Sequence, residues 1–456
     1  MDGLTASLEK MRREGLPDAA IDTFRFYYEQ LVAGATGMVA EDEIEPLADV
    51  TDAEALPDSD AAEFIDHAVL IRLNGGLGTS MGMTRAKSLL PVKEGLTFLD
   101  VIVRQVLALR RTSGARLPLV LMNSFYTQED SLAALARHPE IAADVPGDFV
   151  QHKEPKIRVD DLHPVEWPAD PDKEWAPPGH GDLYTALLTS GILDTLIERD
   201  YRYAFIANSD NLGAVLEPKI LAWFASAGIP FASEVTDRTP ADRKGGHVAR
   251  RRDGGLVLRE TAQTRPEDMD AFTDVDRHRY FNCNNLWIDL RALRDELRRR
   301  DGVLGLPMIV NAKTADPGDA ASPPVYQLET AMGSAVGVFD GAQVLRVPRR
   351  RFTPVKTTSD LLVVRSDAFV LTEQAMIEPA PQRRGPAPLV SLDSHYKLLR
   401  DFEARIPEPP SLVECERLTV KGDVAFGRGV VVRGAVEVVH EGDGQRRIED
   451  GTVLES

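Results

Sequence analysis

Apolar residues recur at helical spacing near the start of the chain. Residues 7–31 carry them at intervals of about three and four, which predicts a helical N-terminal segment. The predicted buried face of this segment consists of Leu8, Met11, Ile21, Phe24, Tyr27, Tyr28 and Leu31. Residues 41–60 (EDEIEPLADVTDAEALPDSD) are acidic and contain Pro, Asp and Ser, so we expect an irregular connector with a solvated charged face.

From residue 67 onward, short apolar runs alternate with amphipathic segments. The predicted strands are AVLIRL, PLVLMNS, YAFIANS and IPFASEV, and the predicted helices are residues 97–111, SLAALARH, residues 182–198 and PKILAWFASAG. This alternation predicts a mainly parallel sheet with helices on both faces, whose ligands bind beyond the carboxyl ends of the strands. A hairpin at Asp253, Gly254 and Gly255 and the run FNCNNLWIDL predict extra strands that form the floor of a second pocket.

The pattern changes again after residue 365. A Pro-rich patch (EPAPQRRGPAP) and an amphipathic helix at residues 394–405 precede LTVKGDVAFGRGVVVRGAVEVV, in which short apolar pairs recur between glycines. Such brief strands predict a small β-helix or solenoid, with an ordinary β-meander as the alternative. Stacked coils expose an end that can pair with a second copy, so a homo-oligomer is possible. We expect three units: residues 1–62, 63–368 and 369–456.

Charge and cysteine content exclude several classes of protein. The chain has 456 residues and a formal net charge of -19, which repels nucleic-acid backbones and anionic membranes at long range. A ligand that carries phosphate therefore needs a local basic site. The chain has two cysteines, Cys283 and Cys415, no apolar signal segment, and no run of roughly 20 apolar residues. We therefore expect a cytoplasmic protein without a membrane or nucleic-acid partner.

The most specific motif is residues 73–82 (LNGGLGTSMG), which follow a predicted strand and precede Lys87. Gly75, Gly76, Gly78 and Gly82 allow tight turns and let backbone N–H groups approach a phosphate chain. The spacing matches neither the Walker loop nor the dinucleotide-binding fingerprint. A structural turn is the alternative, but a connector needs fewer glycines. The loop thus predicts a phosphate-binding site.

Polar residues follow two further predicted elements. His180 lies between Gly179 and Gly181 in PPGHGDLY, where an imidazole can meet a ligand beside bare backbone amides, although a structural histidine fits equally well. Asp210, in NSDN after YAFIANS, can bind Mg²⁺ against phosphate oxygens, the alternative being a turn or cap residue. His180 and Asp182 alone are too few ligands for a zinc site.

Two lysines lie in sequences that suit a phosphate. Lys244 precedes Gly245 and Gly246, and Lys356 lies in FTPVKTTSD, where small or hydroxyl-bearing neighbours leave room and add hydrogen bonds. Most single lysines are merely solvated. The run of arginines at residues 349–351 is interpreted as surface charge.

Taken together, these segments resemble the UTP–glucose-1-phosphate uridylyltransferases of the eukaryotic type, a family also found in some bacteria. The likeness begins near residue 64 and includes LNGGLGTSMG, LTFLD, PLVLMNSF, PPGHGD, NSDNLG, EVTDRTPADRKGG, FNCNNLWI, QLETAMG and FTPVKTTSDLLVV. The sequence departs from the family at residues 83–88 (MTRAKS), where Gly-Pro commonly precedes the lysine, and DFVQHKEP is a partial match.

The resemblance implies a Rossmann-like nucleotidyltransferase fold with a small C-terminal left-handed β-helix, and it implies a role for each matched residue. Lys356 and Lys87 would be the catalytic cations, Asp210 would bind Mg²⁺, and Gln151 and Gly179 would recognise uracil. The full set of implied UTP contacts is Leu73, Asn74, Gly75, Gly76, Lys87, Gln151, Gly179, Asp210 and Lys356. The implied contacts to the sugar or its phosphate are His180, Asn208, Gly245, Glu260 and Asn284.

The implied reaction joins UTP to glucose 1-phosphate. A phosphate oxygen attacks the α-phosphorus in line and pyrophosphate leaves, which yields UDP-glucose. Two rivals remain: a pyrophosphorylase for another sugar 1-phosphate, such as that of N-acetylglucosamine or galactose, and a nucleotide-sugar-binding regulator without turnover. The candidate residues Lys87, Asp210 and Lys356 favour an enzyme over a regulator.

Overall fold

A computed structural model describes residues 2–59, 61–239 and 242–455. Asp60, where the predicted connector ends, and Pro240 and Ala241 of EVTDRTPADRKGG lie outside these ranges. The α-helices are α1 (Gly3–Arg13), α2 (Asp18–Val32), α3 (Ala62–Ile65), α4 (Phe98–Ser113), α5 (Gln128–Leu135), α6 (Leu183–Thr189), α7 (Ile192–Glu198), α8 (Pro218–Ser226), α9 (Met269–Thr273), α10 (Leu290–Arg299), α11 (Thr358–Arg365) and α12 (Leu399–Arg405).

The strands fall into an early, a middle and a late group. The early strands are β1 (Ile44–Pro46), β2 (Thr51–Asp52), β3 (Ala68–Asn74), β4 (Pro91–Lys93), β5 (Leu96–Thr97), β6 (Leu119–Asn123), β7 (Asp148–Val150), β8 (Glu154–Pro155), β9 (Ile157–Arg158) and β10 (Trp175–Ala176). The middle strands are β11 (Tyr203–Asn208), β12 (Phe231–Asp237), β13 (His247–Arg251), β14 (Leu256–Arg259), β15 (Tyr280–Asp289), β16 (Met308–Thr314), β17 (Pro324–Thr330) and β18 (Gln343–Arg346). The late strands are β19 (Phe369–Leu371), β20 (Ile377–Pro379), β21 (Leu389–Leu392), β22 (Cys415–Lys421), β23 (Val424–Phe426), β24 (Val431–Val439), β25 (Arg446–Ile448) and β26 (Val453–Glu455).

A mixed, mainly parallel sheet forms the centre of the molecule, as the alternating pattern predicts. Its strand order is β2-β18-β12-β15-β11-β3-β6-β7. Along this path β15 runs antiparallel to both of its neighbours, and the other neighbouring pairs are parallel. The parallel group β11, β3, β6 and β7 therefore brings its carboxyl ends to one edge, where ligands of such sheets bind.

Side chains of the central strands alternate between two apolar layers. On β3, Leu70 packs with residues of α4 and α8, whereas Val69 and Ile71 pack on the other face with residues of α6, α7 and α10. Alternation with a period of two is what a pleated strand requires when helices cover both faces. The confirmed fold class is therefore α/β, with a central sheet between helical layers.

The helices end where glycine or proline interrupts them. The single segment predicted over residues 7–31 is divided into α1 and α2, because Pro17 lacks an N–H to continue a helix and Gly15 has a φ of 77°. The helix predicted over residues 182–198 is likewise divided into α6 and α7 at Gly191, whose φ is 73°. In both cases the apolar periodicity was correct and the break was missed.

The acidic connector is more ordered than its composition predicts. β1 pairs antiparallel with β13, and β2 pairs in parallel with β18, so the connector adds strands at the margin of the central sheet. Its carboxylates are not purely solvated, since Glu41 pairs with the fully buried Arg259 at 2.6 Å. The prediction of an irregular segment was therefore wrong over these short strands.

The last part of the chain is a stack of short parallel strands. β21, β22, β24 and β26 lie side by side in that order, and β23 pairs in parallel with β25. Val420, Phe426 and Val432 in the interior of this stack belong to the same apolar cluster as one face of the central sheet. Within the described ranges, each helix is too short or too polar to cross a bilayer.

Candidate active site

The glycine-rich loop leaves β3 at the carboxyl edge of the sheet and folds back on itself. The N–H of Lys87 donates to the carbonyl of Gly76 at 2.9 Å, and the Ser124 hydroxyl donates to the carbonyl of Gly75 at 3.0 Å. Gly78 and Gly82 have φ values of 66° and 73°, which favour glycine. The loop is thereby fixed at both ends.

The glycines of this loop have different surroundings. A Cβ at Gly75 would lie 3.0 Å from the Gln151 amide, whereas a Cβ at Gly76 would meet nothing within 4 Å. Gly76 therefore presents bare backbone to open space. A phosphate chain can approach this backbone more closely than it could approach a chain that bears side chains.

Polar side chains at the ends of β3 and β6 bind one another. Asn74 and Asn123 are register partners, and the Asn74 amide donates to the oxygens of Asn123 and Ser131, both at 2.7 Å. The N–H of Gln151 donates to the carbonyl of Asn123 at 2.8 Å. These bonds satisfy buried polar groups and align three neighbouring segments along the edge.

This edge forms the wall of a first cleft of about 890 Å³, measured with its open mouth. It brings together every residue that the resemblance assigns to UTP except Lys356. The lining residues are Leu73, Asn74, Gly75, Gly76, Lys87, Ser88, Met122, Gln151, Pro177, Gly179, His180, Asn208, Ser209 and Asp210.

An ion pair crosses the first cleft. Lys87 Nζ lies 2.6 Å from Asp210 Oδ2, and the two side chains are only 16% and 20% exposed. Asp210 Oδ1 is buried and has no hydrogen-bond partner among the residues that the structure describes. The carboxylate therefore keeps one oxygen free beside the glycine-rich loop.

His180 is held in its neutral form. The N–H of Met332 donates to His180 Nδ1 at 2.9 Å, so the proton of the neutral ring is on Nε2. Burial lowers the pKa of His180 to about 4. At neutral pH this side chain is therefore an uncharged donor, and it lines both the first cleft and an adjoining second cleft.

The second cleft has a volume of about 1170 Å³ with its open mouth and contains the remaining predicted residues. Asn208 lines both clefts, and its Oδ1 accepts a hydrogen bond from Asn284 Nδ2 at 3.2 Å. Asn284 has a φ of 56°, a left-handed conformation that asparagine tolerates better than most residues. The predicted sugar contacts His180, Asn208, Gly245, Glu260 and Asn284 all line this cleft.

A glycine and two half-buried carboxyls shape the second cleft. A Cβ at Gly245 would lie only 1.8 Å from the Phe281 ring, so this position requires glycine. Burial raises the pKa of Glu260, an effect that the nearby Lys356 ammonium partly offsets. Burial also raises the pKa of Glu329, which lines the same cleft. Both carboxyls therefore hold a proton to higher pH than solvated glutamates do.

Lys356 is exposed in the loop before α11 and lines the second cleft, not the first. The loop is tied to the first cleft, because the N–H of Val355 donates to the carbonyl of Asp210 at 3.2 Å. Asp360 accepts from the N–H groups of Lys356 and Thr357 at 2.9 and 2.8 Å. These bonds place the Lys356 backbone close to the boundary of the two clefts.

A buried arginine lies beneath this boundary. Arg72 is fully buried, its Nη1 donates to the carbonyl of Asn208 at 3.3 Å and its Nη2 donates to the carbonyl of Ala214. Burial lowers the pKa of Arg72 to about 9. Within the described ranges no carboxylate pairs with it. It thus supports the carboxyl end of β11 with backbone contacts alone.

Several residues that line the second cleft are not among the predicted ones, and one arginine is buried where surface charge is predicted. Glu329 and Asn311 line the second cleft from β17 and β16, and Glu329 lies within the quoted segment QLETAMG. Asn311 shows in the sequence only as a polar residue between Val310 and Ala312, and Glu329 only as part of that segment. Arg351 is not surface charge: it is 2% exposed, and its Nη2 lies 2.6 Å from Glu234 Oε1. A buried carboxylate far away in sequence makes that burial possible, and no local pattern reveals it.

Comparison with characterised sequences extends this picture. A family model described as UTP–glucose-1-phosphate uridylyltransferase matches residues 21–433. The Saccharomyces cerevisiae UTP–glucose-1-phosphate uridylyltransferase is 42% identical over 388 residues, which cover 85% of this chain and 77% of the yeast protein. The Solanum tuberosum UTP–glucose-1-phosphate uridylyltransferase is 39% identical over 398 residues, which cover 87% of this chain and 82% of the potato protein.

Solved structures are similar over nearly the whole length. A Leishmania major UDP-glucose pyrophosphorylase in complex with UDP-glucose matches with a TM-score of 0.94 and 42% identity, covering 100% of this chain and 98% of that chain. A Trypanosoma brucei UDP-glucose phosphorylase matches with a TM-score of 0.92 and 41% identity, covering 99% and 98%. On the family model and these identities, the chain belongs to the UTP–glucose-1-phosphate uridylyltransferase family.

Proposed function

We propose that this chain is a nucleotidyltransferase that converts UTP and glucose 1-phosphate into UDP-glucose and pyrophosphate. The observation that carries the proposal is the junction of the two clefts at His180 and Asn208. A nucleotide in the first cleft and a sugar phosphate in the second would meet at this junction. Family membership agrees with this reaction.

The reaction needs charge stabilisation more than a protein nucleophile. An oxygen of the glucose 1-phosphate forms a bond to the α-phosphorus of UTP, the bond from that phosphorus to the β-phosphate oxygen breaks, and pyrophosphate leaves with the electron pair. Lys87 and Lys356 would neutralise the attacking and leaving groups, and the neutral His180 would donate a hydrogen bond at the junction. The glycine-rich loop and Gln151 would position the nucleotide.

Mg²⁺ fits the residues that are present. The described residues contain no group of three or more His, Cys, Asp and Glu side chains that could enclose a metal ion. Asp210 Oδ1 is nevertheless buried and unpaired beside the phosphate-binding loop, and Mg²⁺ in nucleotide sites typically takes one or two carboxylates with substrate phosphates as the other ligands. Bound there, Mg²⁺ would neutralise charge on the phosphate oxygens.

The choice of sugar is tested by a pyrophosphate-release assay over a panel of nucleoside triphosphates and sugar 1-phosphates. We expect UTP with glucose 1-phosphate to give the highest kcat/KM. A higher value with N-acetylglucosamine or galactose 1-phosphate would make the chain a different pyrophosphorylase. Binding of UDP-glucose without any pyrophosphate release would make it a regulator.

We also infer the organisation and assembly of the chain. The division into residues 1–62, 63–368 and 369–456 places the helices α1 and α2 in the first unit and the stacked parallel strands in the third. The parallel pairing of β21, β22, β24 and β26 favours a β-helix over a meander, because a meander pairs successive strands in antiparallel fashion. Its left-handed sense is what the resemblance implies. Its exposed last strand is the proposed contact of a homo-oligomer. A cytoplasmic location stays a prediction from the sequence.

A further inference from the structure

The proposed uracil contacts lie on two separate segments. Gln151 follows β7, and Gly179 precedes the short helix His180–Asp182 that leads into α6. A base is recognised by donors and acceptors at fixed positions, so the spacing between these segments decides which base fits. Some group must therefore fix one segment relative to the other.

Residues at the carboxyl edge of the central sheet hold Gln151 in place. Its N–H donates to the carbonyl of Asn123, and its side-chain amide lies against Gly75, where a Cβ would be 3.0 Å away. These contacts orient the residue toward the glycine-rich loop. They do not connect it to Gly179.

Asp182 supplies that connection. Its Oδ2 accepts a hydrogen bond from the backbone N–H of His152 at 2.6 Å, and its Oδ1 lies 2.8 Å from His152 Nδ1. The two side chains are 3% and 9% exposed, so these bonds form away from water and are stronger than they would be at the surface. A carboxylate three residues after Gly179 thus binds the residue that follows Gln151.

The other ring nitrogen of His152 returns to the same segment. His152 Nε2 lies 2.9 Å from the hydroxyl of Thr189, which is the last residue of α6. Thr189, His152 and Asp182 have the order of a nucleophilic triad, but none of them lines either cleft. Their position behind the wall suits them to hold the wall in place.

We propose that Asp182 is a positioning residue that sets the selectivity of this site for uracil. By binding both the backbone and the ring of His152, it fixes the spacing between Gln151 and Gly179. Uracil presents an N–H between two carbonyls, whereas cytosine presents an acceptor beside an amino group, so a change in spacing or orientation weakens the discrimination. This inference rests on the proposed function.

The test measures kcat/KM for UTP and for CTP in Asp182→Asn. Asparagine keeps the shape but cannot accept from two N–H groups with both of its terminal atoms, so one hydrogen bond to a charged acceptor is lost. We expect kcat/KM for UTP to fall by about tenfold or more and the ratio of UTP to CTP to fall with it. KM for glucose 1-phosphate should change by a smaller factor than KM for UTP, because the N–H of Met332 holds the His180 ring of the second cleft independently of Asp182.

Two further variants complete the design. Thr189→Val removes only the hydroxyl contact to His152 and should lower the ratio of kcat/KM for UTP to that for CTP by a smaller factor. If Asp182→Asn does not fold, a lowered ratio in Thr189→Val supports the inference and an unchanged ratio overturns it. Asp289→Asn is the matched control. Asp289 is also buried and accepts from the N–H of Arg291 at 2.9 Å and from Arg202 Nε at 2.8 Å. It is the last residue of β15 and lines neither cleft. Its ratio should equal that of the wild type.

An unchanged ratio in a folded Asp182→Asn enzyme would overturn the inference, as would a rise in KM for glucose 1-phosphate equal to that for UTP. A wild-type enzyme that does not prefer UTP over CTP would contradict the proposed function itself. The two failures are distinguishable, because the first occurs with a normal wild-type preference.

Discussion

The backbone N–H of Val355 donates to the backbone carbonyl of Asp210 at 3.2 Å, which ties the loop of Lys356 to the residue whose carboxylate lines the first cleft. An isolated bridge between Asn211 and Pro354 and a bond from the Thr353 N–H to Asn211 Oδ1 at 3.0 Å reinforce the same junction. The proposed metal ligand and the proposed catalytic lysine therefore share one piece of backbone scaffold. Because these bonds involve backbone atoms and the Asn211 side chain, replacing the side chain of Asp210 or Lys356 should not displace the other residue.

Lys356→Ala should lower kcat by at least about 10²-fold, because the transition state loses a preorganised positive charge. Lys356 is exposed, so the melting temperature should stay close to that of the wild type. Lys421→Ala in the C-terminal stack, which removes another exposed lysine, is the control and should keep full activity. Near-normal pyrophosphate release by purified Lys356→Ala would refute the catalytic role.

Asp210→Ala should abolish activity together with its dependence on Mg²⁺. The variant also leaves Lys87 without the carboxylate that lies 2.6 Å from its ammonium. Lys87→Met, Asp210→Asn and the double variant all lack the ion pair. An effect on Mg²⁺ dependence that appears in Asp210→Asn but not in Lys87→Met therefore belongs to the carboxylate and not to loss of the pair. A metal titration with activity as the readout checks this; unchanged half-saturation by Mg²⁺ in Asp210→Asn would exclude Asp210 as a ligand.

Gly76→Ala should leave stability unchanged but raise KM for UTP by about tenfold or more, because the added methyl meets no protein atom within 4 Å and instead enters the first cleft. Gly255→Ala, whose Cβ would lie 3.8 Å from the nearest atom at a distant hairpin, is the matched control. Steady-state kinetics with varied UTP and thermal melting distinguish the two variants. Equal KM values would place the triphosphate elsewhere.

His247→Phe should flatten the fall in stability on acidification. Neither ring nitrogen of His247 has a hydrogen-bond partner among the described residues, and burial lowers its pKa well below 6.5. The unfolded chain therefore binds a proton near pH 6.5 that the folded chain does not, and stability is lost as the pH falls through this region, by up to about 1.4 kcal/mol per pH unit.

Urea denaturation at several pH values between about 7 and 5 measures this slope. His395→Phe is the control, because the His395 side chain is 42% exposed. The slope of His247→Phe should be smaller than that of the wild type, and the slope of His395→Phe should match it. Identical slopes in all three proteins would mean that His247 is protonated in the fold.

Val453→Lys tests the proposed oligomer. Val453 is 46% exposed on β26, the last strand of the C-terminal stack. A charge on an edge strand opposes pairing with another edge, so the particle mass in light scattering should fall to that of one chain. Removing residues 413–456 is less clean, because Val420 and Phe426 are part of the central apolar cluster. An unchanged mass in Val453→Lys would exclude this contact.

Local pattern was sufficient to predict the central sheet and the loop at its edge. The apolar run of β3 followed by clustered glycines specifies a buried strand and a tight loop, and both signals lie within a dozen residues of each other. The presence of Lys356 in one cleft with Glu260 and Asn284 was not visible in this way. It depends on strand order, which no single segment encodes, and the resemblance assigned Lys356 to UTP and the other two residues to the sugar phosphate.

Features that depend on distant partners were missed. Arg351 is buried because Glu234 neutralises it, and Asp182 is buried because His152 donates twice to it. In each case the local sequence shows only a polar residue of the kind that is usually solvated. Pairing across the fold changes the free energy of burying such a group, and that information lies in the packing.

The guanidinium of Arg72 has an electrostatic consequence for a chain whose net charge is -19. Its positive charge is not cancelled by a carboxylate, and it lies in a medium that screens poorly, directly under the carbonyl of Asn208 where the clefts join. In a chain of net negative charge, this buried cation makes the junction of the clefts more favourable for a highly charged anion, and the contribution should weaken as added salt screens it.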